Sequence, residues 1–301
     1  MKYFFVTLTL ISTLSFSAIA GGPWTPVKGA GTFIPSVSPN IYSTISGRNQ
    51  RIDLNRRVSD VSFQFYTEYG ITDNFALVAN VPFKYVRTSK KILQSDFFPD
   101  TLVNGGLFSL GNIEFELKYK VVDVDGFTMA VGFQTMLPVN STNAAAGLRT
   151  GYNTWGFMPR LHIGTGFSDR FYGQYMGGFN WRNNNYSDEW YASVEFGGKS
   201  KDHKFFYAIL VQAKQSLNNG SRNDANIFLT NSLHTGLYMN DEEYWAWSFK
   251  FANQLSDKLL INYSIGGGIV TRYIARTPAF TVGVIYNWDG KEPKLDTEMN
   301  Y

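Results

Sequence analysis

Leu110-Gly111-Asn112-Ile113-Glu114-Phe115-Glu116-Leu117-Lys118-Tyr119-Lys120-Val121 alternates in polarity almost residue by residue. Ile113, Phe115, Leu117 and Tyr119 share one face of an extended chain, and Asn112, Glu114, Glu116, Lys118 and Lys120 share the other. A period of two marks a strand with one apolar face, because successive side chains leave a strand on opposite sides. A strand of a soluble sandwich carries the same period. Two things separate the cases: how aromatic the apolar faces are, and how the strands are joined.

The same two-faced pattern recurs along the chain. Val61, Phe63, Phe65 and Tyr69 alternate with Ser62, Gln64, Tyr66 and Glu68. Phe171, Tyr175, Phe179 and Trp181 oppose Tyr172, Gln174, Asn180 and Arg182, and Trp190, Ala192, Val194 and Phe196 oppose Tyr191, Ser193 and Glu195. Trp245, Trp247, Phe249 and Phe251 oppose Ser248 and Lys250; Phe280, Val282, Val284, Tyr286 and Trp288 oppose Thr281, Gly283 and Asn287. Aromatics gather at the ends of these faces, as in the two girdles of a transmembrane barrel. Composition agrees: 17% of residues are aromatic, with 28 Gly and no Cys. A secreted all-β chain without disulfides needs another source of stability, and closing a sheet in a bilayer supplies one.

The joins carry more weight. Ile71-Thr72-Asp73-Asn74-Phe75, Phe167-Ser168-Asp169-Arg170-Phe171 and Leu255-Ser256-Asp257-Lys258-Leu259 repeat one turn signature. Ser, Thr and Asp side chains bond backbone amides two residues on and so make tight turns. Asp123-Val124-Asp125-Gly126 and Ser200-Lys201-Asp202-His203 are further short joins. The alternate connections are longer, near 44–56, 88–108, 138–152 and 216–242, with shorter ones near 183–186 and 273–276. Short turns on one side and longer loops on the other are what a transmembrane barrel requires.

This spacing predicts twelve antiparallel strands near 31–43, 57–70, 74–87, 109–121, 126–137, 153–167, 170–182, 187–199, 203–215, 242–255, 258–272 and 276–288. An even number puts both ends on the periplasmic side. The first strand is the weakest, because Pro35 and Pro39 interrupt its alternation. Residues 226–239 read as further strand inside a loop, and the count rises to fourteen only with a second such segment elsewhere.

The ends fit this organisation. Lys2, the apolar run Tyr3 to Phe16 and Ala18-Ile19-Ala20 before Gly21 have the layout of a cleaved signal peptide. The run is too short to anchor the chain as a helix, and Gly21 in place of Cys argues against a lipoprotein. The expected organisation is a signal peptide over 1–20, the barrel over 21–288 and a flexible periplasmic tail over 289–301. Mean hydropathy is −0.18, and the mature chain holds no second long apolar segment. A net charge of +3 gives no case for nucleic acid, and three scattered His without Cys argue against a metal site.

Several patches resemble a known family. Trp24 to Gly31 (Trp-Thr-Pro-Val-Lys-Gly-Ala-Gly), Tyr66 to Asn74, Gly111 to Tyr119, Tyr186 to Glu189 and Thr277 to Tyr286 are similar to the outer-membrane barrels grouped under the meta-pathway of phenol degradation. The resemblance covers most of the mature chain in short, turn-anchored pieces. It implies an outer-membrane barrel that passes small, often apolar molecules.

Inside such a barrel the charged faces become the candidate site: Glu114, Glu116, Lys118, Lys120, Arg160, Arg182, Glu195 and Lys250. One reading is a charged constriction that selects solutes. The other is an ion-pair network, including Glu68, that satisfies polar groups away from lipid, since small barrels are often filled by side chains. Glu114 and Glu116 also echo a paired-carboxylate enzyme. Carboxylates two apart on a strand lie about 7 Å from each other, but the adjacent lysines hold both ionised, which suits no acid role.

A phospholipase needs a Ser beside a His. His162 faces inward, His203 lies in a turn and His234 in a loop, and no His-x-Ser-Asn-Gly segment occurs. Asp123 to Gly126 lacks the ligands of a calcium loop. Gly266-Gly267-Gly268 precedes no helix and reads as a bend in a strand. The expected function is therefore passive passage of small solutes, with outer-membrane lipid around the barrel and no cofactor. The alternative is a plugged barrel acting through its loops 88–108, which carries Phe97-Phe98, and 216–242.

Overall fold

In hydrocarbon every backbone N–H and C=O must find its partner within the protein, and a sheet closed on itself meets that demand. The computed structural model describes residues 21–47, 50–90, 102–139, 141–220 and 235–289 and shows such a sheet. Its strands are β1 (Gly31–Ser46), β2 (Arg51–Gly70), β3 (Phe75–Thr88), β4 (Gly105–Leu110 and Glu114–Val124), β5 (Phe127–Met136) and β6 (Gly156–Gly166). β7 (Phe171–Arg182), β8 (Glu189–Lys199), β9 (Phe205–Ser216), β10 (Glu243–Ser256), β11 (Leu259–Arg272) and β12 (Ala279–Trp288) follow. Each pairs antiparallel with its sequence neighbours, and β1 closes on β12 with Gly31 opposite Trp288 and Val37 opposite Val282. The thirteen paired segments of the sheet make twelve strands, because both pieces of β4 pair with β3.

Burial along β4 decides between a membrane barrel and a soluble sheet. Phe115, Leu117 and Tyr119 are 40%, 49% and 49% exposed, whereas Glu116 and Lys118 are 5% and 1% exposed. A soluble sheet buries its apolar face. Here the apolar face looks outward and the charges look in, which only a lipid-facing wall around a polar lumen explains. Rings link neighbouring strands on the outside: Phe33, Phe65, Phe83 and Phe108 run diagonally across β1 to β4 with centroids 6.0–6.2 Å apart. Phe179 lies against both Trp181 and Trp190 near the end away from the chain termini.

Prolines shape two seams. Pro82 has no N–H to give β4, so its carbonyl takes the amide of Gly111 at 2.7 Å. β4 then breaks over 111–113, and pairing resumes at Asn80 with Glu114. Pro35 and Pro39 do not end β1, which pairs with β2 from Gly31 to Ser46. Their cost falls on the closing seam, where β1–β12 pairing runs only from Gly31 to Val37.

The turns at the end holding the termini form as their residues dictate. Thr72 Oγ1 accepts the Phe75 amide at 3.0 Å, Ser168 Oγ the Arg170 amide at 3.2 Å and Ser200 Oγ the Phe205 amide at 3.0 Å. At the other end the connection expected over 44–56 is far shorter. β1 and β2 stay paired out to Ser46 opposite Arg51, since Thr44, Ile45, Ile52 and Asp53 continue the ladder. The connection between β5 and β6 holds a small hairpin, Thr142–Asn143 against Leu148–Arg149. There Ile45, Leu54 and Val58 of the strand ends pack with Leu148, Leu237 and Met239 of the connections into an apolar lid. Within the proposed extra strand, 226–234 lies outside the described residues and 235–239 forms turns. Phe97-Phe98 and His234 also lie outside them.

Candidate functional site

The polar faces of twelve strands converge on the lumen, so charges far apart in sequence meet there. At mid-height Glu116 of β4 accepts from Arg160 at 3.1 Å and from His162 Nε2 at 2.7 Å, both on β6. The carboxylate reaches over the intervening β5 because Gly132 stands there; a Cβ at that position would collide with Glu116 Oε1. Opposite, Glu195 of β8 takes Lys250 at 2.7 Å, the Tyr172 hydroxyl at 2.8 Å and the Gln174 amide at 2.9 Å. All of these side chains but Tyr172 line a cavity of about 280 Å³ that includes Glu114 and Gly21.

Toward the lid lies a second layer. Arg182 pairs with Glu189 at 3.0 Å, and Lys214 joins Glu189 at 3.4 Å to Glu242 at 2.9 Å. The Tyr152 hydroxyl donates to Glu242, and the Arg182 guanidinium lies over the rings of Tyr152 and Tyr186 at 5.5 and 5.1 Å. Burial, with the Glu242 carboxylate beside it, pushes the Tyr152 hydroxyl well above its ordinary range, so it stays a donor. Lys84–Asp60 at 2.8 Å and Arg272–Glu243 at 2.9 Å complete this layer.

At the opposite end the residues before β1 turn into the lumen. Lys118 Nζ, 2.5 Å from Glu68, donates to the carbonyl of Gly22 at 2.7 Å. Trp24 meets Tyr172 edge-on at 5.8 Å. It fits because β6 offers Gly164 there, where a Cβ would come within 2.6 Å of Pro23 and 2.8 Å of Trp24. Asp73, in the first short turn, accepts the Lys28 amide at 2.9 Å, and its carbonyl takes the Thr25 hydroxyl at 2.9 Å. Trp288 Nε1 donates to the Gly29 carbonyl at 3.0 Å and ties the segment to the last strand.

Of the residues singled out in the sequence, Glu114, Glu116, Arg160, Glu195 and Lys250 share the cavity. Lys118 sits below it on the inturned segment. Lys120 lies at the rim, paired with Asp123 at 2.8 Å, and Arg182 belongs to the outer layer. Sequence reading assigned no part to His162 beyond its inward face and missed the inturned segment. The signal for the latter is Gly22-Pro23-Trp24-Thr25-Pro26, an aromatic and proline-rich run without alternation directly before the first strand. Asp125 and Gly126 take positive φ, 43° and 80°, as a two-residue hairpin turn demands.

A family model described as "Putative MetA-pathway of phenol degradation" matches residues 26–206. No curated protein matches the sequence. Among solved structures, an outer membrane channel from Pseudomonas putida F1 superposes with a TM-score of 0.65 at 11% identity, over 90% of this chain and 100% of that one. At that identity the likeness is one of fold. The KdgM porin matches with a TM-score of 0.46 at 8% identity, over 85% of this chain and 99% of its own. The CymD monoaromatic hydrocarbon channel matches with a TM-score of 0.45 at 10% identity, over 87% of this chain and 89% of its own. The protein is a closed twelve-stranded antiparallel β-barrel with the fold of the outer membrane channel from Pseudomonas putida F1.

Proposed function

This chain belongs to the family of the MetA-pathway of phenol degradation, and on that membership and the geometry of its lumen we propose that it is a passive channel for small solutes. One observation carries the reading: at mid-height the lumen is not packed shut but keeps a cavity of about 280 Å³ between its charged side chains. Charged and amide groups around such a space offer successive weak sites to a passing solute, which is how barrels conduct. The family description points to small hydrophobic molecules among the solutes, and the solved relative from Pseudomonas putida F1 is itself a channel. No chemical step is assigned: Glu116 is held by Arg160 and by His162, which leaves neither carboxylate nor imidazole free. In this reading both termini are periplasmic, residues 1–20 are a cleaved leader and 289–301 a tail.

The test is conductance of the purified barrel in planar bilayers, with swelling of liposomes that contain it in small sugars, amino acids and phenols. Small steady conductance and uptake of the smallest solutes are expected. A preparation that shows the heat-modifiable shift of a folded barrel yet passes neither ions nor solutes would overturn the proposal.

A second reading has an observation of its own. The segment 21–30 occupies the half of the lumen at the end that holds the termini, anchored by Lys118 on Gly22. A barrel plugged in this way would act through its connections 88–108 and 216–242. Loss of surface binding on deleting either connection, with conductance absent throughout, is the outcome that would favour it.

A further inference from the structure

Three carboxylates line the central cavity, Glu114, Glu116 and Glu195, against two permanent cations, Arg160 and Lys250. Glu116 is matched by Arg160 and Glu195 by Lys250. Glu114 has no ion pair among the described residues; its hydrogen-bonding neighbours are the amides of Asn80 and Gln134. Gln134 is 4% exposed, and its Oε1 has no donor among the described residues. His162, which also lines the cavity, is engaged by Glu116, so Glu114 is left without a cation of its own and Gln134 Oε1 without a donor among the described residues. Such groups are costly unless something supplies positive charge and N–H.

Gly21 lines the same cavity. Its neighbour Gly22 is fixed from two sides: Lys118 Nζ holds its carbonyl at 2.7 Å, and a Cβ on it would lie 2.5 Å from Gln174 Oε1. The chain thus delivers residue 21 into the polar chamber rather than to its rim.

We infer that this cavity is the seat of the mature chain's own α-ammonium group, which supplies the cation that Glu114 and Gln134 lack. The inference rests on reading residues 1–20 as a cleaved leader and is independent of whether solutes pass. Hydrolysis of the Ala20–Gly21 peptide bond by a leader peptidase consumes one water. It leaves the new carboxylate on Ala20, which departs with the leader, and an amine on Gly21 that takes a proton at neutral pH. Cleavage then does more than release the chain. It creates the group that locks the inturned segment in place, so that the processed barrel can seat this segment and the precursor cannot.

The test reads the amine directly. The mature barrel, folded in detergent, is treated near pH 7 with a small amine-reactive reagent, conditions under which an α-amine reacts ahead of lysine. Modification of the N-terminal peptide is followed by mass spectrometry. At least tenfold slower labelling than in the heat-unfolded chain is expected, with several-fold acceleration in Glu114→Gln. Inserting Ala-Ser between Ala20 and Gly21 displaces the ammonium by about 7 Å. With that insertion, Glu114→Gln should no longer change the labelling rate.

An amine as reactive in the folded barrel as in the unfolded chain would overturn the inference, as would a mature chain that does not begin at Gly21. So would an equal effect of Glu114→Gln with and without the insertion. The wild-type comparison stands even if Glu114→Gln does not fold. A protected amine in a barrel that passes no solute would sink the channel reading and leave this one intact.

Discussion

Lys118 is 1% exposed, and Glu68 and the Gly22 carbonyl are its partners. A buried ion pair adds little over an apolar pair of the same volume, yet removing one partner strands the other charge, at about 3–5 kcal/mol. Glu68→Gln should therefore lower unfolding stability in lipid by an amount near that range, discounted for whatever water reaches the lumen. The double variant Glu68→Gln with Lys118→Met should recover most of the loss. Urea unfolding of the two in liposomes checks this, and equal losses would mean that the charge is not the cause. The sequence named Arg160 and Glu68 among the candidate partners of the face from Glu114 to Lys120, but not which side chain meets which. Glu116 finds Arg160 and His162 only because Gly132 leaves a gap on the strand between them. That condition joins residues on three strands, and no spacing along the chain expresses it.

Turns are the elements most fully written in the sequence, since Ser, Thr and Asp make their hydrogen bonds within a few residues. Asp202 shows the consequence for pH. The Ser200 hydroxyl, and then the Lys204 amide at 3.2 Å, hold its carboxyl below the usual range. A depressed value means that the bond is fully present above the unfolded carboxyl value of about 3.9 and is lost as pH falls through the folded value. Exchange protection of the Lys204 amide should stay constant from pH 7 to about pH 4 and decline only in stronger acid. In Asp202→Asn it should not respond to acid at all; protection that fades already near pH 6 would sink the assignment. Longer elements were less legible. Ser46 opposite Arg51 extends a hairpin where a loop was expected. Nothing in the alternation says how far two strands continue, because a ladder needs a partner wherever it runs, in lipid or in water. The prolines were read with the right sign and the wrong victim: Pro35 and Pro39 spare β1 and shorten its pairing with β12.

Closure of the whole sheet was legible because it follows from counting: alternate short and long joins, an even number of strands, apolar faces outward. The contents of the lumen were not, because the segment 21–30 has no periodicity and its place depends on a barrel already formed around it. That dependence makes the segment separable from the wall. The wall is held by continuous antiparallel ladders, with β1 paired to β2 over its whole length. Residues 21–28 are held chiefly by Lys118 on Gly22, Trp24 on Tyr172, and Thr25 and Lys28 on Asp73, whereas Gly29 and Ala30 bond to Gly70 and Trp288 of the wall. Deleting residues 21–28 while keeping residues 1–20 should therefore leave a barrel that still shows the heat-modifiable shift. Its single-channel conductance should rise several-fold, because the half of the lumen that the segment fills empties. A folded variant with unchanged conductance would move the constriction to the layer of Arg182, Glu189 and Lys214 beneath the apolar lid, and loss of the heat shift would show that the segment is part of the wall's stability after all.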